Sequence, residues 1–218
     1  MRKLVIWSVA VLAVTASAAI ANAKESTFSI GLSHGSSNVS APDKLFGPND
    51  YVSLGSSDEI GVNAEYGMAM ADDYAMAISV DYRMGSFKQE PTTNAPAFPT
   101  LKVSSTSFKV RVGGDRTGKI GDRFKWFMGP GLEYGSAKAK FKEWALAPLD
   151  DVDGEPTTRF GVSGRLGGVM MLGPTVGIKG QIGDTFGLES AKDTGGKTTS
   201  TYSSFESAWS VQFAFGGK

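Results

Sequence analysis

The chain has 218 residues, enough for one domain of ordinary size, and its 22 basic residues balance its 22 acidic ones. That balance argues against a nucleic-acid binder, which carries a basic excess. The lack of any cysteine excludes disulfides, zinc–thiolate sites, a cysteine nucleophile and a lipidated N-terminal cysteine.

Read in chain order, the first element is a leader. Arg2 and Lys3 precede an apolar run from Leu4 to Ala19, and Ala21-Asn22-Ala23 forms an A-x-A cleavage pattern. This layout predicts a cleaved signal peptide over 1–23 and a mature domain over 24–218. An uncleaved N-terminal anchor helix is the alternative. Removing the leader leaves 20 basic residues (22 − 2) against 22 acidic ones, a net charge of −2. Beyond it, no segment approaches the ~18 consecutive apolar residues that a membrane helix needs.

The mature chain is dominated by a period of two. Phe28, Ile30 and Leu32 mark a first strand. From Ile60, the alternate residues Val62, Ala64, Tyr66, Met68 and Met70 are apolar, while Gly61, Asn63, Glu65, Gly67 and Ala69 lie between them. Successive side chains of a strand point to opposite faces, so this second strand has two unlike faces. The third repeats the pattern: Tyr74, Met76, Ile78, Val80, Tyr82 and Met84 against Ala75, Ala77, Ser79, Asp81, Arg83 and Gly85. Parity fits a three-residue loop, Ala71–Asp73, between these two strands.

Thr106, Phe108, Val110 and Val112 mark a fourth strand, with Lys109 and Arg111 opposite. Phe124, Trp126, Met128, Leu132 and Tyr134 mark a fifth. Phe160, Val162, Leu166, Met170 and Leu172 mark a sixth, and Val176, Ile178 and Ile182 a seventh. Phe205, Trp209, Val211, Phe213 and Phe215 mark an eighth. Three features break the pattern. Pro130, between Gly129 and Gly131, predicts a bulge in the fifth strand. Leu101 and Val103 are out of phase with Phe108, which predicts a bulge or strand start near Ser104-Ser105. Phe127 and Val169 fall on the otherwise polar face.

Link lengths alternate as well. Those after strands two, four and six are short: Ala71–Asp73, roughly Gly114–Arg123, and Gly173–Thr175. Those after strands one, three, five and seven are longer: roughly Gly35–Asp58, Gln89–Thr100, Ala145–Thr157 and Ser190–Ser200. Transmembrane barrels have short turns at one end and long loops at the other. The pattern therefore predicts an all-β fold, an eight-stranded antiparallel up-and-down transmembrane β-barrel. It would carry short periplasmic turns, four longer outer loops and both termini in the periplasm.

A soluble β-sandwich also alternates, but its polar face meets water and carries long charged chains throughout. Here that face is rich in Gly, Ala and Ser, with single charges among them. Eight strands enclose a space just wide enough for side chains to fill it. Glu65, Asp81, Glu133 and Glu206 would face Arg83, Lys109, Arg111, Arg165 and Lys179 there. An unpaired charge so buried costs several kcal/mol, so a lumenal network of salt bridges is expected. The opposite face of the central runs carries no Lys, Arg, Asp or Glu, as lipid contact requires. Phe28, Tyr74, Phe124, Trp126, Phe213 and Phe215 cluster toward the turn end, and Tyr82, Tyr134, Phe141, Trp144 and Tyr202 toward the loop end. Two aromatic girdles at the interfaces are the expected role of these groups.

On these residues the mature chain, from about Glu25 to Phe215, resembles the small eight-stranded outer-membrane barrels. These are the OmpA transmembrane domain, OmpX/Ail-type proteins, OmpW and the opacity-type surface antigens. The most specific element is the last strand, Trp209-x-Val211-x-Phe213-x-Phe215, which departs from the family by the added Gly216-Gly217-Lys218. The resemblance implies an outer-membrane location, contact with lipid and lipopolysaccharide, and recognition of the last strand by the barrel insertion machinery. It leaves an outer surface ligand open, and no wall-binding domain is expected after the barrel.

Chemistry is sparse. Two proteins of this architecture resemble enzymes acting on lipid A, a palmitoyltransferase and a deacylase. The first resemblance implies a His after strand one with an Asp-Ser pair in a loop. His34 stands there, with Ser36 and Ser37 nearby and Ser57 beside Asp58, in the reverse order. The second implies a His-x-Ser pair on a late strand, and none is present. Asp150, Asp151, Asp153 and Glu155 form an acidic loop without the spacing of a twelve-residue calcium loop, so a solvated loop is expected and no metal or cofactor. The leading expectation is a non-enzymatic barrel with a filled, salt-bridged lumen, acting in envelope integrity, adhesion or surface interaction. The alternatives are a narrow OmpW-like conduit for small or hydrophobic molecules and a lipid A-modifying enzyme.

Overall fold

The computed structural model describes residues 25–41, 52–89, 101–142, 152–153, 156–193 and 196–216. Nine strands follow in chain order: β1 (Ser26–Ala41), β2 (Val52–Ala71), β3 (Tyr74–Gln89), β4 (Leu101–Ile120), β5 (Phe124–Lys142), β6 (Val152–Asp153), β7 (Thr157–Met171), β8 (Val176–Asp193) and β9 (Gly196–Phe215). Eight of them close a ring. Each pairs antiparallel with its sequence neighbour, β4 pairs with β5, and β1 pairs with β9 from Ser26↔Phe215 to Ser37↔Ser204. β6 is a two-residue addition on β5, opposite Lys140 and Phe141. Closure leaves no open edge in the ring, the requirement for a sheet in lipid. No described helix is long and apolar enough to cross a membrane, and crossing by strands needs none.

The burial pattern is inverted relative to a water-soluble sheet. Leu32 and Trp209 are 65% and 68% exposed, and Ile60, Leu132, Val162 and Phe186 are exposed with them. Ser29, Glu65, Asp81, Arg111, Glu133 and Lys179 are buried. Period-two alternation thus puts the apolar set outside and the polar set in the lumen. Strands of 15–20 residues exceed the roughly 9–11 needed to span, so the barrel wall extends past the hydrocarbon.

Several local expectations need correction. The β2–β3 link is the pair Asp72-Asp73, since Ala71 pairs with Tyr74 after a register shift at Ala69/Ala71. β4 runs to Ile120, well past Gly114, and turns on Gly121 at φ 65°, a left-handed conformation that glycine adopts without steric cost. The segment expected as a fourth outer loop is mostly strand: β8 and β9 stay paired to Asp193↔Gly196, leaving a link of 194–195.

No bulge forms at Pro130. The β4–β5 register is the same at Gly113↔Gly131 and at Arg116↔Met128, with two pairs missing between them. The β5–β7 register is continuous through Pro130↔Gly164. Proline removes a ladder donor, and here the chain tolerates a gap rather than inserting a residue. β4 is likewise in unbroken register with β3 from Tyr74↔Arg116 to Gln89↔Leu101, so Ser104-Ser105 carries no bulge. Val103 is simply on the inner face, buried at the loop end.

Candidate functional site

Among the described residues, the lumen holds two clusters of charge. In the one nearer the turns, Arg165 pairs with both Glu65 and Asp115, its Nε donating to Asp115 at 3.0 Å. Lys179 Nζ lies 2.5 Å from Glu65 Oε1. Below them lies Phe127, its ring centroid 5.1 Å from the Arg165 guanidinium carbon and 4.7 Å from Lys179 Nζ. The negative face of the ring attracts both cations, which accounts for an aromatic residue on the polar face. Arg111 donates from Nε to Ser163 Oγ at 3.1 Å and from Nη2 to the Gly129 carbonyl at 3.2 Å.

In the cluster nearer the loops, Arg83 Nη2 bridges Asp81 at 2.5 Å and Glu206 at 2.7 Å. Lys109 contacts Glu206 and, at 3.3 Å, Glu133. Hydroxyls complete the set: Ser33 donates to Asp81 at 2.8 Å, Thr185 to Glu133 at 2.8 Å, and Ser105 and Ser107 to Glu59 at 3.0 Å each. Farther out, Arg159 pairs with Glu189 at 2.6 Å and lies over the Tyr202 ring at 5.2 Å.

The structure places all nine charged residues singled out from the sequence on the inner wall. Arg165, Lys179, Glu65 and Arg111 meet in one cluster, and Arg83, Asp81, Lys109, Glu206 and Glu133 in the other. Sequence reasoning missed Asp115, Glu59 and Glu189. Asp115 keeps phase with Arg111 but falls in the segment 114–123 that reads as a turn; Glu59 keeps phase with Glu65 one strand-step beyond the run.

Among the described residues, two spaces lie beside the clusters. A cavity of about 410 Å³ opens at the turn end, with Met68, Ala77, Phe127 and Val169 among its lining and Glu65, Asp115, Arg165 and Lys179 at its inner limit. A second space of about 40 Å³ lies among Asp81, Arg83, Lys109, Glu133 and Tyr202. Glu25 and Lys125 pair at 2.9 Å among the residues lining the larger cavity.

Outward, Phe28, Tyr74, Tyr82, Phe124, Tyr134, Phe213 and Phe215 are exposed, and Trp126 is half-buried. Tyr202 departs from the sequence reading: it is buried, under Arg159. Met68 is buried too, next to the register shift that ends β2. Asp184 is exposed on the outward side of β8 between Ile182 and Phe186, beyond the run from which the apolar face was read. Trp144 and the acidic residues Asp150, Asp151 and Glu155 lie outside the described residues, and only the backbone of Asp153, opposite Lys140, is described. Among the described residues, no group of His, Cys, Asp and Glu is arranged to hold a metal ion.

His34 is exposed on the outward face of β1, in register with Ile60 and Ser207; Ser36 is opposite Asp58. No hydrogen bond joins these side chains.

Residues 7–199 match the outer membrane protein beta-barrel domain family. The chain belongs to this family. An outer-membrane beta-barrel protein meets lipid on its outer wall, which is where this chain carries its apolar residues, and the protein is located in the outer membrane. Among solved structures, the chain is similar to Ail of Yersinia pestis, solved in complex with the heparin analogue sucrose octasulfate. Identity is 13%, with 88% of this chain and 98% of that one covered, at a TM-score of 0.47. Neisserial surface protein A gives 15% identity, 87% and 97% coverage and a TM-score of 0.47. OprG of Pseudomonas aeruginosa gives 12%, 88%, 96% and 0.45. No curated protein sequence matches the chain.

Proposed function

We propose that this outer-membrane barrel is closed to solutes and non-enzymatic, and that it acts through its wall and its outer end, in envelope integrity or surface interaction. The observation that carries this reading is the pair of ionic clusters across the lumen, with only about 40 Å³ of space among the residues of the loop-end cluster. A conduit would have to break contacts such as Lys179–Glu65 and Arg83–Asp81, both well buried. Breaking one buried pair costs about 3–5 kcal/mol, more than a passive channel can spend at each passage.

In this reading the turns and both termini lie in the periplasm and the long strand ends reach outward. The exposed aromatics form two interfacial girdles against lipid and lipopolysaccharide. The strand ending Trp209-x-Val211-x-Phe213-x-Phe215 is the segment presented to the insertion machinery.

Planar-bilayer recording of the purified, folded protein tests the reading. Silent bilayers, with insertion verified by heat-modifiable gel migration, are expected. A stable current that a small solute blocks would replace this reading with the narrow conduit, which the turn-end cavity of about 410 Å³ would then serve as an antechamber.

A further inference from the structure

We propose that the turn-end cavity is a binding site for a small organic anion with an apolar body. Its volume, about 410 Å³, falls in the range of small-molecule sites. Its walls supply apolar contact through Met68, Ala77, Phe127 and Val169, all buried. Its inner limit is charged but balanced, because Glu65 and Asp115 already hold Arg165 and Lys179.

Toward the turn end Glu25 and Asp72 line the cavity beside two lysines, so charge is balanced there too and what is uneven is the pairing. Lys119 and Lys125 both line the cavity and stand directly opposite each other in the β4–β5 register. Like charges in that relation disfavour each other. Glu25 takes Lys125 at 2.9 Å, whereas Lys119 has no ion-pair partner among the described residues. An anionic head between the two ammonium groups relieves the repulsion, and its apolar body then points inward onto Phe127. A cationic amphiphile meets the same lysines head-on and finds the carboxylates of the lining, Glu25 and Asp72 as well as the deeper pair, already engaged. The site does not depend on the barrel being closed: a ligand can enter and leave by the turn end.

The test uses the full mature barrel in lipid nanodiscs and two fluorinated probes of equal shape, para-trifluoromethylbenzoate and para-trifluoromethylbenzylammonium. Fluorine NMR reads binding above that of empty nanodiscs. The benzoate should bind saturably, one per barrel, and the benzylammonium should not. Lys119→Glu should weaken the benzoate by about tenfold or more, the loss of one hydrogen bond to a charged group, and Lys119→Arg should retain it. Ala75→Trp, which fills the cavity, should abolish binding; folding of each variant is read by gel migration. Benzoate binding no greater than to empty nanodiscs, equal binding of the two probes, or full binding by Lys119→Glu would each overturn the proposal. Saturable binding in a barrel that also conducts would overturn only the closed reading above.

Discussion

Lys179 and Glu65 face each other 2.5 Å apart across the lumen, with side-chain exposures of 5% and 6%. Neither reaches bulk water, so each depends on the other and on Arg165 for compensation. Removing one partner leaves charge buried without an opposite, which costs about 3–5 kcal/mol. Glu65→Leu should therefore lower the unfolding free energy by that amount in urea titrations from lipid vesicles. Arg116→Ala, which removes an exposed pair with Asp73 at 3.9 Å, should change it by less than about 1 kcal/mol. Equal effects of the two substitutions would mean that the lumen is hydrated and the pair screened.

The wall of this barrel was legible because alternation is strict wherever both faces are constrained. Ile60 to Ala64 and Ile78 to Tyr82 could be assigned to faces residue by residue. Legibility failed where that constraint lapses. Beyond the hydrocarbon, β8 and β9 are polar on both faces, so Ser190–Ser200 read as a loop although most of it is paired strand. At the turn end, the glycines of Gly113-Gly114 hid the continuation of β4 and with it Asp115, a partner of Arg165. The charges themselves could be assigned to the inner face, but which acid meets which base could not. That depends on the stagger between strands, and a pair such as Arg165 and Glu65 is 100 residues apart in sequence.

His34 is the only histidine, and its ring is the chain's one candidate for a histidine base. General-base catalysis needs a nucleophile within hydrogen-bond reach, and no such bond joins His34 to Ser36, Ser207 or Asp58. His34→Ala should leave the lipid A species of expressing cells unchanged by mass spectrometry. A lipid A product that appears with the wild-type chain and disappears with this variant would establish the enzymatic reading.

Pro130 interrupts the β4–β5 ladder without shifting it, and inside that gap the Gly129 carbonyl accepts from Arg111. Pro130→Ala restores a backbone donor, worth about 0.5–1.5 kcal/mol if bonded, and frees the unfolded chain, which costs about 0.4–1 kcal/mol. These nearly cancel, so stability should change by less than about 1 kcal/mol. Register should not change either. Because the chain has no cysteine, the paired substitutions Thr117→Cys and Phe127→Cys report register cleanly, as these residues are opposite each other below the gap. Their disulfide should form equally with Pro or Ala at position 130. Loss of the crosslink in the alanine background would show that proline holds the register rather than merely interrupting it.

Asp184 is the exception on the outer wall. It is exposed between Ile182 and Phe186, in register with Gly164 on one side and Phe205 on the other. Gly164 offers no side chain to shield it. A carboxylate against lipid is unfavourable, by less than the roughly 2–4 kcal/mol of a basic residue at the midplane and less again toward the interface. Phe205 is the last apolar residue of β9 before the polar Ser203 and Ser204, which sets Asp184 toward the outer side of the apolar belt. Asp184→Leu should accordingly raise the unfolding free energy by about 1 kcal/mol in urea titrations from vesicles of phosphatidylcholine. Asp184→Asn should recover part of the gain by removing charge while keeping size. Stability that falls with leucine would mean that Asp184 is held by a favourable contact at the lipid surface and not merely tolerated there.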